Sequence, residues 1–99
     1  MATLHHNISG TTTTKLLSAG DIGVIRKISI CNTNSSNEVT VDLYIQKVNA
    51  GKFYLLSNVI IPTKVTLLYD GVTFGNKDRE FSLYIKCTGT SPTIDVILD

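Results

Sequence analysis

Apolar and polar residues alternate with a period of two in five stretches of this chain. The alternation is cleanest in Val39-Thr40-Val41-Asp42-Leu43-Tyr44-Ile45-Gln46, Phe81-Ser82-Leu83-Tyr84-Ile85-Lys86-Cys87 and Ile94-Asp95-Val96-Ile97-Leu98. Successive side chains of an extended strand point to opposite sides, so this period predicts β-strands with one buried face. No stretch reads as a helix.

Turn chemistry divides the rest of the chain. Residues 1–18 are polar and rich in threonine, with Thr11-Thr12-Thr13-Thr14 ahead of Leu16 and Leu17, and read as an N-terminal arm and edge strand. Ala19-Gly20-Asp21 then turns into a strand over residues 23–32 with Val24, Ile28 and Ile30 inward. Asn32-Thr33-Asn34-Ser35-Ser36-Asn37 is a loop of small polar residues that bond nearby backbone, and it reads as a hairpin connection into residues 39–48. Asn49-Ala50-Gly51 turns into residues 52–61, where alternation is looser; this segment fits either a strand covered on both faces or one that offers an apolar face to a partner. Pro62 cannot donate to a ladder and marks a corner, after which residues 65–69 enter the opposite sheet. Val72-Thr73-Phe74 reads as a short surface connection. Residues 81–88 and 93–98, joined by Gly89-Thr90-Ser91-Pro92, are the last strands.

Roughly seven strands at spacings of about 8 to 12 residues predict two packed antiparallel sheets. The fold class is all-β, a single antiparallel β-sandwich, with an immunoglobulin-like topology as the leading version and a jelly roll as the alternative. The absence of Trp counts against a true antibody-like domain. Ile28, Ile30, Val41, Leu43, Ile45, Leu67, Leu83, Ile85 and Val96 fill the inner layers, and Tyr44 and Tyr84 point outward. With 99 residues, the arm and the sandwich of residues 19–99 make one domain. A domain of this size buries only about two-thirds of its extended surface, so association with neighbours would help it.

Charge narrows the partners. The net charge of +1 and the scattered Lys and Arg residues provide no basic stripe for nucleic acid. No run approaches the roughly 18 apolar residues of a membrane span, and Met1-Ala2-Thr3-Leu4-His5-His6-Asn7 lacks the basic and apolar regions of a signal peptide, so synthesis and retention in a cytoplasm, or export inside something larger, are expected. Strand parity turns Cys31 outward and Cys87 inward, which predicts two free thiols.

Catalytic chemistry does not assemble. His5 and His6 are adjacent in sequence, point to opposite sides of any strand and cannot share a metal. The serines fall in loops or on polar faces with no histidine on a rigid element beside them, so no hydrolase is expected. Asp70, Asn76 and Asp78 lack the spacing of a calcium loop, and Gly71-Val72-Thr73-Phe74-Gly75 leads to no helix that could bind phosphate. No cofactor, metal or catalytic residue is assigned. Phe53, Tyr54, Tyr69 and Phe74 could line a sugar- or protein-binding surface, although core and strand packing account for them better.

The order of pieces resembles a group of small virion proteins of tailed phages, marine ones especially. The resemblance rests on Asn7-Ile8-Ser9-Gly10 before the threonine run, Leu17-Ser18-Ala19-Gly20-Asp21, Ile28-Ser29-Ile30-Cys31-Asn32 through Asn37 into Val39-Thr40-Val41-Asp42-Leu43-Tyr44-Ile45, Phe53-Tyr54-Leu55-Leu56 before Val59-Ile60-Ile61-Pro62, and Ser82-Leu83-Tyr84-Ile85-Lys86. These are patterns of strands and turns rather than of chemistry. The resemblance implies a non-enzymatic structural component of a virion, a decoration or accessory domain on the head or tail that binds other virion proteins and copies of itself. Leu4, Ile8, Thr12, Thr14, Leu16 and Tyr54 are the candidate interface, with the arm adding a strand to a neighbour. A carbohydrate-binding module of a tail fibre is the alternative.

Overall fold

Apolar side chains two residues apart leave each strand with one greasy side, and two sheets close over those sides. The computed structural model describes residues 4–18, 24–47, 51–70, 74–75 and 81–99, with backbone only at residues 4, 24, 74 and 75. Among them run β1 (Leu4–Ser9), β2 (Thr12–Leu17), β3 (Val24–Ile25), β4 (Ile28–Asn32), β5 (Val39–Gln46), β6 (Lys52–Ile61), β7 (Thr66–Tyr69), β8 (Phe74–Gly75), β9 (Ser82–Gly89) and β10 (Thr93–Leu98). One four-stranded sheet has the order β1-β10-β4-β7, the other β2-β9-β5-β6, and β3 pairs with β8 in a small ribbon. Every pairing is antiparallel.

The β-sandwich is as the sequence predicts, and the strand order decides between its two topologies. Leaving the ribbon aside, β1 pairs with β10, β2 with β9, β4 with β7 and β5 with β6. These pairs are nested, so the chain is one long hairpin that has rolled up until β10 also meets β4 and β9 also meets β5. That is a jelly roll. The immunoglobulin-like order is not the one adopted. A period of two fixes which face is buried and says nothing about which strand lies alongside, so both topologies fit the same pattern.

The nine residues assigned to the inner layers all belong to the core or pack against it. Ile8, Leu16, Leu17, Ile25, Val39, Ile61, Ile94 and Leu98 join them. Each fully buried side chain of this size contributes about 1.5–3 kcal/mol relative to an exposed one.

Four local readings change. The strand of residues 23–32 is two strands, because the amides of Arg26 and Lys27 both donate to the Asp99 carbonyl, at 2.9 and 3.1 Å, as in a β-bulge. The bulge reverses parity and Ile25 is buried; the side chain of Val24 lies outside the described residues. The segment 32–37 is no hairpin, since β4 and β5 belong to different sheets. In β6 the register against β5 slips twice: Val41 faces Val59, Leu43 faces Leu56 and Tyr44 faces Tyr54. Two extra residues therefore sit in β6, and its inner-face residues come as Phe53, Leu56, Val59 and Ile61. These bulges, rather than cover on both faces, explain the loose alternation. Finally, residues 4–9 and 12–17 are two paired edge strands, because Ile8, Leu16 and Leu17 have core faces to bury.

One buried amide ties the crossover together. The Asn32 side chain is fully buried, and its Nδ2 donates to the carbonyls of Asn37 and Ile61 at 3.0 Å each. Its Oδ1 accepts from the Asn34 amide at 3.0 Å, and its backbone carbonyl accepts from Lys64 at 2.9 Å. The end of β4, the loop into β5, the end of β6 and the Pro62 corner thus meet on one residue. Asn34 continues the pattern, its Oδ1 accepting from the amides of Ser36 and Asn37 at 2.7 and 3.0 Å.

Candidate interaction surface

Among the described residues the inner faces form one apolar cluster, and the polar and aromatic side chains considered next lie on outer faces and edges. The outer face of the β2-β9-β5-β6 sheet is built by register. Lys15 lies opposite Tyr84, Tyr84 opposite Tyr44, and Tyr44 opposite Tyr54, which makes one row across all four strands. Directly opposed residues share a face, so parity and register together are sufficient to form the row.

The row is packed rather than splayed. Tyr44 and Tyr84 lie with ring centroids 5.3 Å apart and planes 18° apart, a stacked pair, and Tyr54 tilts 54° against Tyr44 at 5.4 Å. The ammonium of Lys52 stands 4.9 Å from the Tyr44 centroid and that of Lys15 stands 5.9 Å from the Tyr84 centroid. Such aromatic and cation–π contacts contribute about 0.5–1.5 kcal/mol each beyond burial and hold side chains in place before any partner arrives. Tyr44 points outward as expected, yet it is only 4% exposed because its neighbours cover it, while Tyr54 is 51% exposed. Burial raises the pKa of the Tyr44 phenol, the nearby Tyr54, Tyr84 and Asp42 act in the same sense, and a hydrogen bond from Thr13 partly opposes them. The next row carries Thr13, Lys86 and Asp42, and the Asp42 carboxylate accepts the Asn58 amide at 2.6 Å inside the β6 bulge. Asn58 takes φ 53° there, a left-handed value that asparagine tolerates.

Of the candidate interface residues, only some lie at the surface. Ile8 and Leu16 are core, Thr14 is half-buried, and Thr12 and Tyr54 are exposed; the side chain of Leu4 lies outside the described residues. Tyr69 opposes Ile28 on the inner face and packs against the core, so it lines no outer surface. Phe53 is 55% exposed at the end of the inner layer, edge-on to Phe81 at 6.3 Å. The side chain of Phe74, like Asn76 and Asp78, lies outside the described residues. Tyr44 and Tyr84 were legible as outward aromatics, but only the register reveals that they form one surface with Tyr54 and two lysines.

Among the described residues, the four edges of the two four-stranded sheets differ in how they are guarded. The β2 edge has Lys15 and an extra residue at Leu16, β6 has Lys52 and two bulges, and β7 is four residues long. These are the devices that keep edges from pairing with other chains. β1 has six residues in unbroken register with β10 and carries no proline and no Lys, Arg, Asp or Glu. The Gly10 amide donates to Pro92 at 2.8 Å, so by alternation the amides of His5, Asn7 and Ser9 point away from β10. Asn7 also anchors this strand from its outer face, Nδ2 donating to the Asp95 carboxylate at 2.6 Å.

Other chemistry is sparse. Parity puts His5 opposite Ile97 on the outer face and His6 opposite Val96 on the inner one. Cys31 opposes Asp95 on the outer face of one sheet, and Cys87 is buried in the other with its thiol 3.1 Å from the Gly10 carbonyl. Among the described residues no three His, Cys, Asp or Glu side chains converge. A shallow depression of about 360 Å³ is lined by Arg26, Lys27, Asp70 and Asp99, a charge-balanced set.

No family model matches the chain, and no curated protein does. Among solved structures, a chain of infectious bursal disease virus Gt strain is 10% identical with a TM-score of 0.49, and one of the Gx strain is 6% identical with a TM-score of 0.48. This chain is covered to 97% and 98% in those matches but spans only 32% and 29% of the virus chains. The Yersinia pseudotuberculosis-derived mitogen is 14% identical with a TM-score of 0.47, over 98% of this chain and 81% of the mitogen. Identities this low carry no inference about shared function.

Proposed function

We propose that this chain is a non-enzymatic structural subunit of a tailed-phage virion, an accessory or decoration domain on the head or tail that is made in the host cytoplasm and assembles with other virion proteins and with copies of itself. The observation that carries this reading is the β1 edge, which among the described residues is the one edge of the two four-stranded sheets left without a bulge, a charge or a shortened strand. A neighbouring chain can extend the sheet there through the outward amides of His5, Asn7 and Ser9. The resemblance of the strand-and-turn pattern to small virion proteins supports the same role. Jelly rolls are frequent in viral coats and also in lectins, so fold alone does not choose between scaffold and sugar binder. The stacking of Tyr44 on Tyr84 favours the scaffold, because rings turned towards each other leave no flat paired platform for a sugar.

Deleting residues 4–17 is not a clean test, since Ile8, Leu16 and Leu17 belong to the core. Asn7→Pro removes one outward amide and leaves the β10-facing ones of Ile8 and His6 in place. Expected is a folded variant that incorporates into particles at a small fraction of the wild-type level, measured against Asn7→Ala, which also lacks the Asp95 bond. Equal incorporation of the two variants removes the β1 edge from the contact.

A further inference from the structure

The Tyr44-Tyr54-Tyr84 face is not explained by strand addition at β1, which lies on the other sheet. Its chemistry is specific. One ring face of Tyr84 is taken by Tyr44, and Lys15 and Lys52 stand over the row at 5.9 and 4.9 Å, so the surface offers ammonium groups and phenol edges rather than bare ring faces. Lys86 lies in the adjoining row. The one carboxylate among these residues, Asp42, is held by the Asn58 amide. Three cations against one engaged carboxylate, beside a half-exposed Tyr54 and an Ile60 that is 55% exposed, make a face that is cationic and apolar together.

We infer that the outer face of the β2-β9-β5-β6 sheet docks an acidic protein segment, whose carboxylates meet Lys15, Lys52 and Lys86 and whose apolar side chains pack on Tyr54 and Ile60. The inference rests on the subunit role proposed above and names the chemistry of one neighbour. Charge complementarity selects this occupant. A nucleic-acid strand would bring successive bases that need a run of open rings to stack on, and here Tyr44 is covered and one face of Tyr84 is taken, which leaves Tyr54 alone half-exposed in the row. A second copy meeting it with the outer face of the opposite sheet would bring Asp95, which Asn7 already bonds.

The test uses the full chain, labelled with nitrogen-15, and a short synthetic peptide alternating glutamate and leucine. Expected are amide shifts confined to β2, β9, β5 and β6, at most weak shifts with the glutamine version of the peptide, and several-fold weakening between about 20 and about 200 mM salt. Lys15→Glu with Lys52→Glu weakens binding at least about tenfold, Lys15→Arg with Lys52→Arg retains it, and Tyr54→Ser weakens it about threefold with charge unchanged. These residues are exposed, and far-ultraviolet circular dichroism verifies that each variant is folded. Shifts on the other sheet, no effect of Tyr54→Ser, tighter binding of oligothymidine than of the peptide, or self-association through this face each overturn the inference. None of these outcomes bears on whether the chain is in the particle, which is read from the particle itself.

Discussion

Replacing Asn32 with alanine removes a group on which four segments of backbone converge. Three side-chain hydrogen bonds of 3.0 Å are lost, to Asn37, Ile61 and Asn34, and the Ile61 carbonyl stays buried without its partner. At about 1 kcal/mol for each bond, with the orphaned carbonyl pushing the total upward, the loss is about 3–4 kcal/mol. A domain of 99 residues has about 5–15 kcal/mol in all, so the variant surrenders a large part of its stability. With unfolding entropy of about 2 cal/mol/K per residue, the melting temperature falls by about 15–20 °C. Thermal unfolding followed by far-ultraviolet circular dichroism measures that shift and urea titration the free-energy loss, and tyrosine fluorescence gives a second probe because the chain has no Trp. Asn34→Ala is the contrast. Its bonds to Ser36, Asn37 and Ser91 are mostly solvent-accessible, water replaces them, and the loss is about 1 kcal/mol or less. A loss below about 1 kcal/mol for Asn32→Ala would refute the view that this amide fastens the two sheets at their crossover.

Other outcomes follow from single positions. Gly89 has φ 148°, and a Cβ there would meet the Glu38 carbonyl at 3.1 Å, so Gly89→Ala destabilises by about 1–3 kcal/mol in urea titration. Lys64 takes φ 63° in the turn closed by the Val65 amide on Pro62, and Lys64→Gly relieves that strain for a gain of about 0.5–1 kcal/mol in the same assay. The pKa of Tyr44 is raised on folding, so its contribution is complete below the ordinary tyrosine value of about 10 and is lost as pH climbs through the folded value. Absorbance titration of phenolate should therefore show one tyrosine ionising late, and Tyr44→Phe should abolish that late step; a wild-type protein with no late step contradicts the packed row.

Much of the fold is legible in the chain because the strict alternations of β5, β9 and β10 belong to strands with one buried face. Legibility fails where backbone geometry interrupts the period. Extra residues at Leu16, in the Ser57–Asn58 region and near Leu55 reset parity without any Gly or Pro to signal them, and the paired amides of Arg26 and Lys27 do the same before β4. The polar run from Asn32 to Asn37 announces a turn, but a turn within a sheet and a crossover between sheets use the same residues. What distinguishes them is the burial of Asn32 against Ile61, a contact between positions 29 residues apart. The threonine-rich start reads as an arm because four threonines bury little, whereas Ile8, Leu16 and Leu17 were enough to draw it into both sheets. The tyrosine surface depends on register between β2, β9, β5 and β6, which strand parity alone leaves open.

The role in a virion is tested most directly on the particle. Peptide mass spectrometry of density-gradient-purified phage particles, quantified against a major coat protein, should find this chain in a fixed ratio that survives repeated purification. A chain that stays in the host lysate, or that washes away from the particles, contradicts the structural role outright.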